Sequence, residues 1–364
     1  MLPYFAGKFG NPASRSHSFG WAAEKAVERA RKLVAELAGA TPREIVFTSG
    51  ATESDNLALK GVWEAYRTRG NHIIAAATEH RAVLDPVRHL ERLGAEVTIL
   101  PVRPDGLLDL DGLRQAVRPE TVLVSVMFAN NETGVIQPIR EIGAICREAG
   151  VLFHTDAAQA FGKVPFRVTE LGIDLMSVTA HKIYGPKGAG ALYIRRGVTA
   201  VAQIDGGGHE RGLRSGTLNV PAIVGFGEAA AICASEMEAE AARTRNMRDR
   251  LLARMETGLE GVRVNGSMAH RLPANLNLVF AGVNADALLT ALPDIAVSTG
   301  SACSSAAPEP SHVLRALGLT EAEARSSVRF GLGRTTTEDE VDYVADRVIS
   351  AVQSLRRSIP AASI

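Results

Sequence analysis

Lys182 is the residue of this chain with the most chemistry to offer. It follows the apolar run Leu175–Val178 and then Thr179-Ala180-His181, and it precedes Ile183-Tyr184-Gly185-Pro186-Lys187-Gly188. A lysine at a strand end beneath a glycine-rich turn can be held partly desolvated, which lowers its pKa and turns its amine on carbonyls. An ordinary surface lysine in a loop would fit the same position, so its neighbours must decide. Asp156 ends the apolar run Val151-Leu152-Phe153-His154-Thr155. A carboxylate there can pair with a protonated ring nitrogen, or simply cap the Ala-rich segment that follows. Gln159, one helical turn later, would face the same way and reach a ring hydroxyl.

His80 closes the run His72–Ala77, where an imidazole can stack on a flat ring and shuttle protons, or be a satisfied structural group. Further upstream, Ile45-Val46-Phe47-Thr48 runs through Ser49-Gly50 into a helix start at Ala51-Thr52-Glu53. The free N–H groups at Ala51 and Thr52, with the Thr52 hydroxyl, can cradle a phosphate. Glu53 is an odd neighbour for a dianion, although a first-turn Glu suits the helix dipole. None of these features is specific alone; their order and spacing together are. They describe a site for pyridoxal phosphate, with Lys182 as covalent anchor and Asp156 on the ring nitrogen.

Short apolar runs at 45–48, 73–77, 97–100, 122–128, 151–155, 175–178 and 191–194 alternate with amphipathic stretches. That alternation predicts an α/β fold with a mainly parallel seven-stranded sheet covered on both faces. Ligands of such sheets sit beyond the carboxyl ends of strands, where His80, Asn131, Asp156 and Lys182 fall. The first helix should bury Ala23, Val27, Ala30, Val34 and Leu37, spaced four, three, four and three apart. Past Gly208 a long helix over about 220–259 leads into shorter elements: 274–280, 286–292, 295–298, 313–317, 327–331 and a last helix 338–355. This predicts a large domain, 1–237, and a smaller α+β domain, 238–364, carrying a cysteine loop.

Several motifs resemble those of cysteine desulfurases. They are Ser-Gly-Ala-Thr-Glu-Ser-Asp-Asn (49–56), Thr-Glu-His (78–80), Asn-Asn-Glu-Thr-Gly (130–134), His-Thr-Asp-Ala-Ala-Gln (154–159) and His-Lys-Ile-Tyr-Gly-Pro-Lys-Gly (181–188). Gly-Gly-Gly-His-Glu-Arg (206–211), Arg-Ser-Gly-Thr (214–217) and Ser-Thr-Gly-Ser-Ala-Cys (298–303) belong to the same set. The resemblance covers nearly the whole chain, and it is to the long-loop class associated with iron–sulfur cluster assembly. It implies the type I fold of pyridoxal-phosphate-dependent transferases, a homodimer with sites at the subunit interface, and conversion of L-cysteine to L-alanine. Cys303 would take the sulfur as a persulfide and hand it to an acceptor, an iron–sulfur scaffold or a sulfur carrier; it could also ligate a nascent cluster transiently.

The resemblance also assigns roles. Lys182 moves the substrate's α-proton, and Thr52, Thr179, His181 and a partner-subunit Thr217 hold the phosphate. Arg329 grips the substrate carboxylate, which its planar fork suits, although an ordinary strand salt bridge would also account for it. Asn131 contacts the ring or the carboxylate; read alone, Asn-Glu-Thr-Gly is a turn. Cys303 lies among Ser, Gly, Ala and Pro, a loop composition that suits either a moving nucleophile or an inert thiol. Cys146 and Cys233 sit in amphipathic helical stretches and read as inert. No base adjoins Cys303 in sequence, so its proton must go to the bound substrate or to His80.

Composition is compatible with this reading. Of 364 residues 46% are hydrophobic and 22% charged, and 40 basic against 40 acidic residues give no net charge. That balance argues against binding driven by nucleic-acid phosphates. No uninterrupted apolar run approaches ~18 residues, which predicts no membrane span. Three cysteines, without metal-ligand spacing, fit a reducing cytoplasm. Thr179 stands where many family members carry Ser. The chain opens at Met1-Leu2-Pro3-Tyr4-Phe5, lacking the family's upstream strand and small-residue loop; this predicts exposed apolar surface at Leu2, Tyr4, Phe5 and Phe9. Two other readings remain at this point: a related selenocysteine lyase or aminotransferase, which would not need Cys303, and a weakly active docking platform for sulfur-transfer partners.

Overall fold

The protein is described by a computed structural model over residues 1–299 and 310–358. It contains two compact bodies. The first comprises Met1–Leu100, Leu108–Ala129 and Gln137–Met237; the second comprises Pro101–Leu107, Asn130–Ile136 and Glu238–Ile364.

The first body is built on seven strands: β1 (Ile45–Thr48), β2 (His72–Ala76), β3 (Glu96–Leu100), β4 (Thr121–Ser125), β5 (Leu152–Asp156), β6 (Leu175–Thr179) and β7 (Gly190–Ile194). Their order is β1-β7-β6-β5-β4-β2-β3. β3, β2, β4, β5 and β6 run parallel, while β7 is antiparallel to both β6 and β1. Parallel neighbours need crossovers, and the helices that make them cover both faces, so all but one strand are buried along their whole length. β3, one of the two edges, is the exception: Glu96 and Ile99 are exposed and Val97 and Thr98 half-buried. β4 ends at Ser125, three residues short of the expected run, yet Val126 and Phe128 still donate to the carbonyls of His154 and Asp156.

The Ser18–Ala38 helix buries Ala23, Val27, Ala30 and Val34 as its spacing predicts. Leu37 is only half-buried; Ala38 takes the inner position instead. The same helix draws Arg31 inside, where its guanidinium meets Glu210 at 2.7 Å and lies 4.6 Å over the Phe47 ring.

The Val220–Gly258 helix bears on the expectation about membrane spans. Its charge-poor part reaches a mean hydropathy of 1.3 over 18 residues, long and apolar enough to cross a membrane by those measures. Val220, Ile223, Val224, Phe226 and Ile232, set among small residues, produce most of that value. Within the fold, Phe226 packs edge-on against Phe47 and Phe161, and a side chain on Gly227 would meet Ala30 at 2.6 Å. At the other end of the chain, Leu2, Phe5 and Phe9 are exposed, but Tyr4 is half-buried in the short Pro3–Ala6 helix.

The second body has a three-stranded antiparallel sheet, β10-β9-β8, made of β8 (Val262–Val264), β9 (Asn275–Phe280) and β10 (Ser327–Gly331). Leu276, Leu278, Phe280, Val328 and Phe330 pack with Val341, Ala345, Val348 and Val352 of the Glu338–Arg357 helix. Thr337 and Glu340 form a reciprocal capping box at that helix's start, worth about 1 kcal/mol.

Candidate active site

The carboxyl ends of β5 and β6, with the turn after β1, converge on one place in the first body. Gly50 starts the Ala51–Tyr66 helix and contributes no side-chain cap, so the first-turn N–H groups at Ala51 and Thr52 point outward unclaimed by a cap. A Cβ built on Gly50 would lie 3.7 Å from Thr179 Oγ1, so the helix start and the end of β6 face one another. The fit is close enough that a Cβ on Gly190 would come within 2.5 Å of Gly50 Cα. Thr179 Oγ1 in turn lies 2.9 Å from His181 Nδ1. Burial lowers the His181 pKa first, followed by the nearby Lys182, Lys187 and Lys163 charges. A helix N-terminus, a hydroxyl and an imidazole amid lysines are a donor set for a dianion.

Glu53 ceases to be odd in this setting. Arg214 Nε meets its Oε1 at 2.8 Å, and its Oε2 accepts the Ser49 N–H at 2.9 Å. Burial raises its pKa, but these partners outweigh that and the net shift is downward. Arg214 thus fixes the loop that carries Thr217 to the cradle helix. Thr217 itself is exposed.

Asp156 is buried, 5% exposed, and its Oδ1 accepts the Ala158 N–H at 2.9 Å. Burial raises its pKa; the Ala158 hydrogen bond and the charges of His80 and Lys182 oppose that rise. Those two side chains are therefore close enough to Asp156 to be felt. His80 is the N-cap of the Arg81–Arg92 helix, its Nδ1 accepting the Ala82 N–H at 3.1 Å. Lys182 does not sit on the strand end. It lies in the 3-10 turn Ala180–Ile183 beyond it, and its side chain is exposed rather than desolvated, because that turn directs it away from the core. Tyr184 closes the turn with a left-handed φ of 65°.

The segment that carries Gln159 differs from the expectation too. No helix follows Asp156; residues 158–163 form successive turns, and Gln159 Oε1 accepts Lys163 Nζ at 2.9 Å. Asp156 closes an Asx-type turn there instead of capping a helix.

Asn131 and Arg329 belong to the second body, where Arg329 Nη1 donates to the Asn131 carbonyl at 2.8 Å. Arg329 is half-buried on the face of β10 opposite Val328 and Phe330. Cys303 lies outside the described residues. Cys146 and Cys233 are buried, and burial pushes the Cys146 thiol up to about 12. Among the described residues no group of three His, Cys, Asp or Glu side chains is disposed to hold a metal ion.

Residues 1–344 match the family model for class-V aminotransferases. The chain is 59% identical over 362 residues to a protein of Anaeromyxobacter sp. (strain Fw109-5) described as cysteine desulfurase IscS, covering 99% of this chain and 90% of that one. The chain belongs to the cysteine desulfurase family. A solved structure titled NifS-like protein superposes on this cysteine desulfurase with TM-score 0.90 at 37% identity, covering 97% of this chain and 94% of the other. A structure titled SspA in complex with cysteine gives TM-score 0.80 at 37% identity, covering 91% and 92%. The fold is that of the type I pyridoxal-phosphate enzymes, and the family's cofactor is pyridoxal phosphate. The uncapped helix start facing Thr179, and the buried Asp156 carboxylate near Lys182, fit that group at its phosphate and ring ends.

The residues missed from sequence are those behind the site: Asp55, Ser125, His154 and Ser177, all fully buried. Two of them were signalled. His154 precedes Asp156 by two on one strand, and Ser177 precedes Thr179 by two on the next, so each pair shares a face.

Proposed function

We propose that this cysteine desulfurase converts L-cysteine to L-alanine and carries the sulfur away as a persulfide on Cys303. The observation that supports this most directly is the convergence of the helix start at Ala51-Thr52 with Thr179 and His181, beside an Asp156 that feels both His80 and Lys182. Bound pyridoxal phosphate supplies an electron sink for the substrate's α-carbon. Ala51, Thr52, Thr179 and His181, with Thr217 of the partner subunit, hold its phosphate. Asp156 holds the ring nitrogen, Gln159 the ring hydroxyl, and His80 stacks on the ring.

Lys182 would hold the cofactor covalently through Nζ, and the same amine, when free, would be the group to take the substrate's α-proton. Arg329 binds the substrate carboxylate, and Asn131 orients Arg329 through its carbonyl. Cys303 attacks the substrate sulfur as a thiolate: the S–S bond forms while the Cβ–S bond breaks. The electron pair stays with carbon, which is protonated and leaves as alanine. His80 is the base available to the Cys303 thiol.

The enzyme is assigned to the cytoplasm as a homodimer that hands sulfur to an iron–sulfur scaffold or a sulfur carrier. Exposed Phe5, Phe9, Phe19 and Trp21 near the N-terminus support burial against a second copy. Zero net charge supports no role for nucleic acid.

The test is holoenzyme exposed to L-cysteine, with alanine quantified and the added sulfur mapped by mass spectrometry. Cys303→Ser should bind substrate yet release no alanine at a comparable rate. Lys182→Ala should lose borohydride labelling by the cofactor; labelling that moves to Lys187 would overturn the assignment.

A further inference from the structure

Behind Asp156 lies a buried polar cluster that the reaction described above does not use. His154 shares its face of β5, and its Nδ1 lies 2.8 Å from Ser125 Oγ while its Nε2 lies 3.0 Å from Ser177 Oγ. Asp55 projects from the cradle helix, one turn beyond Thr52, with its Oδ1 3.6 Å from His154 Nε2. Asp55, Glu79 and His154 are all 0% exposed.

Three buried carboxyls thus share one region, and their surroundings differ. Glu79 accepts the Met127 N–H at 2.6 Å. Asp156 accepts the Ala158 N–H and is favoured as an anion by His80 and Lys182. Asp55 faces the charges of Asp156 and Glu79. Among the described residues neither of its carboxyl oxygens has a hydrogen-bond partner within bonding geometry, and the nearby Ser177 hydroxyl favours its ionised form only weakly against burial. His154 offers it no cation, because burial pushes the imidazole down to about 3. Neighbouring buried carboxyls cannot all ionise, and protons go to those with least support. Burial and then Asp156 hold the Asp55 carboxyl well above the ordinary range, and burial holds Glu79 well above it as well.

We propose that Asp55 is a positioning residue that holds a proton as a neutral carboxylic acid behind Asp156, confining negative charge to the carboxylate that meets the ring nitrogen. The purpose rests on the reading of Asp156 as ring partner; the location of the proton does not.

Infrared spectra of the holoenzyme at ~pH 8, well above the ordinary carboxyl range, should contain C=O absorption from protonated carboxylic acid. Asp55→Asn, which replaces a neutral acid by a neutral isostere, should remove part of that absorption. It should also leave the pH midpoint of the visible cofactor band unmoved and cofactor affinity within about threefold, a factor worth less than one hydrogen bond. Asp156→Asn should displace that midpoint. Retention of the full absorption in Asp55→Asn would overturn the proposal, as would a midpoint displaced by about one pH or more, the mark of a lost charge. Should the variant fold poorly, wild type alone decides: no protonated-carboxyl absorption at ~pH 8 ends the proposal. If Asp156→Asn leaves the midpoint unmoved, the reading of Asp156 fails, while the infrared result still reports where the proton sits.

Discussion

The main chains of Ser298 and Arg329 pair across an antiparallel bridge, Arg329 donating to the Ser298 carbonyl at 2.7 Å and receiving the Ser298 N–H at 3.4 Å. Arg329 is thereby held at both ends, since its Nη1 also donates to the Asn131 carbonyl at 2.8 Å. A guanidinium fixed in this way presents its fork with little entropy left to lose.

Arg329→Lys tests that arrangement. The charge survives but the fork and its hold on Asn131 do not. We expect kcat/KM for L-cysteine to fall about 30- to 150-fold, the equivalent of ~2–3 kcal/mol for a lost charge-assisted bond, carried mainly by KM. Steady-state kinetics on alanine release would check it; an unchanged KM would remove Arg329 from the carboxylate site.

The three cysteines should differ sharply in reactivity. Cys146 is 1% exposed on the Ile139–Ala149 helix, and a thiol pushed up to about 12 is almost never a thiolate at neutral pH. Cys233 is 2% exposed on the long helix beside Gly162. Alkylation of folded holoenzyme should therefore modify Cys303 at least ~100-fold faster than either. Comparable labelling of Cys146, followed by digestion and mass spectrometry, would contradict the burial argument.

Arg31 and Glu210 form a bidentate buried pair, 2.7 Å at each arm, and Glu210 also accepts the Phe47 N–H at 2.7 Å. The pair secures a loop in which Glu210 and Arg211 adopt left-handed φ values of 49° and 60°, conformations that cost energy for residues with a Cβ. Glu210→Ala would strand the guanidinium in the core and should destabilise the protein by about 3–5 kcal/mol. Replacing both residues with Met should cost less than that single change. Urea unfolding of the three proteins would show it, and a double replacement that costs as much as Glu210→Ala or more would refute the coupling.

Sequence spacing placed all seven strands of the large sheet within a few residues, because buried parallel strands are short apolar runs between helices. It located Asp156 at a strand end, and His80 and Lys182 a few residues beyond one, for the same reason. The segment carrying Gln159 reads as helical because it is small and Ala-rich, whereas the Asp156 carboxylate bonding the Ala158 N–H starts a turn. The Glu53–Arg214 pair spans distant segments, so no local pattern announced it. The exposure of Lys182 was likewise invisible, since it depends on how the 3-10 turn leaves β6.

His154 should govern part of the acid sensitivity of the first body. Its folded pKa of about 3 lies far below its ordinary 6.5, because burial excludes the charged form. The unfolded chain therefore takes up a proton that the folded one refuses. The stability that depends on a neutral His154 is intact above pH 6.5 and is lost as pH falls toward the folded value, by ~1.4 kcal/mol for each pH of descent. About 2 kcal/mol should be gone by about pH 5. Asp55 and Glu79 act in the opposite sense: raised carboxyls favour the fold at low pH and progressively disfavour it above about pH 4, the ordinary carboxyl range. The two slopes partly cancel in wild type, so the difference against His154→Asn is the quantity to measure. The side-chain amide can still bond both serine hydroxyls but cannot titrate. Across about pH 6.5 to 5 the variant should therefore gain on wild type by roughly the same 2 kcal/mol in denaturant unfolding. Parallel stability curves over that interval would mean that His154 is protonated in the fold.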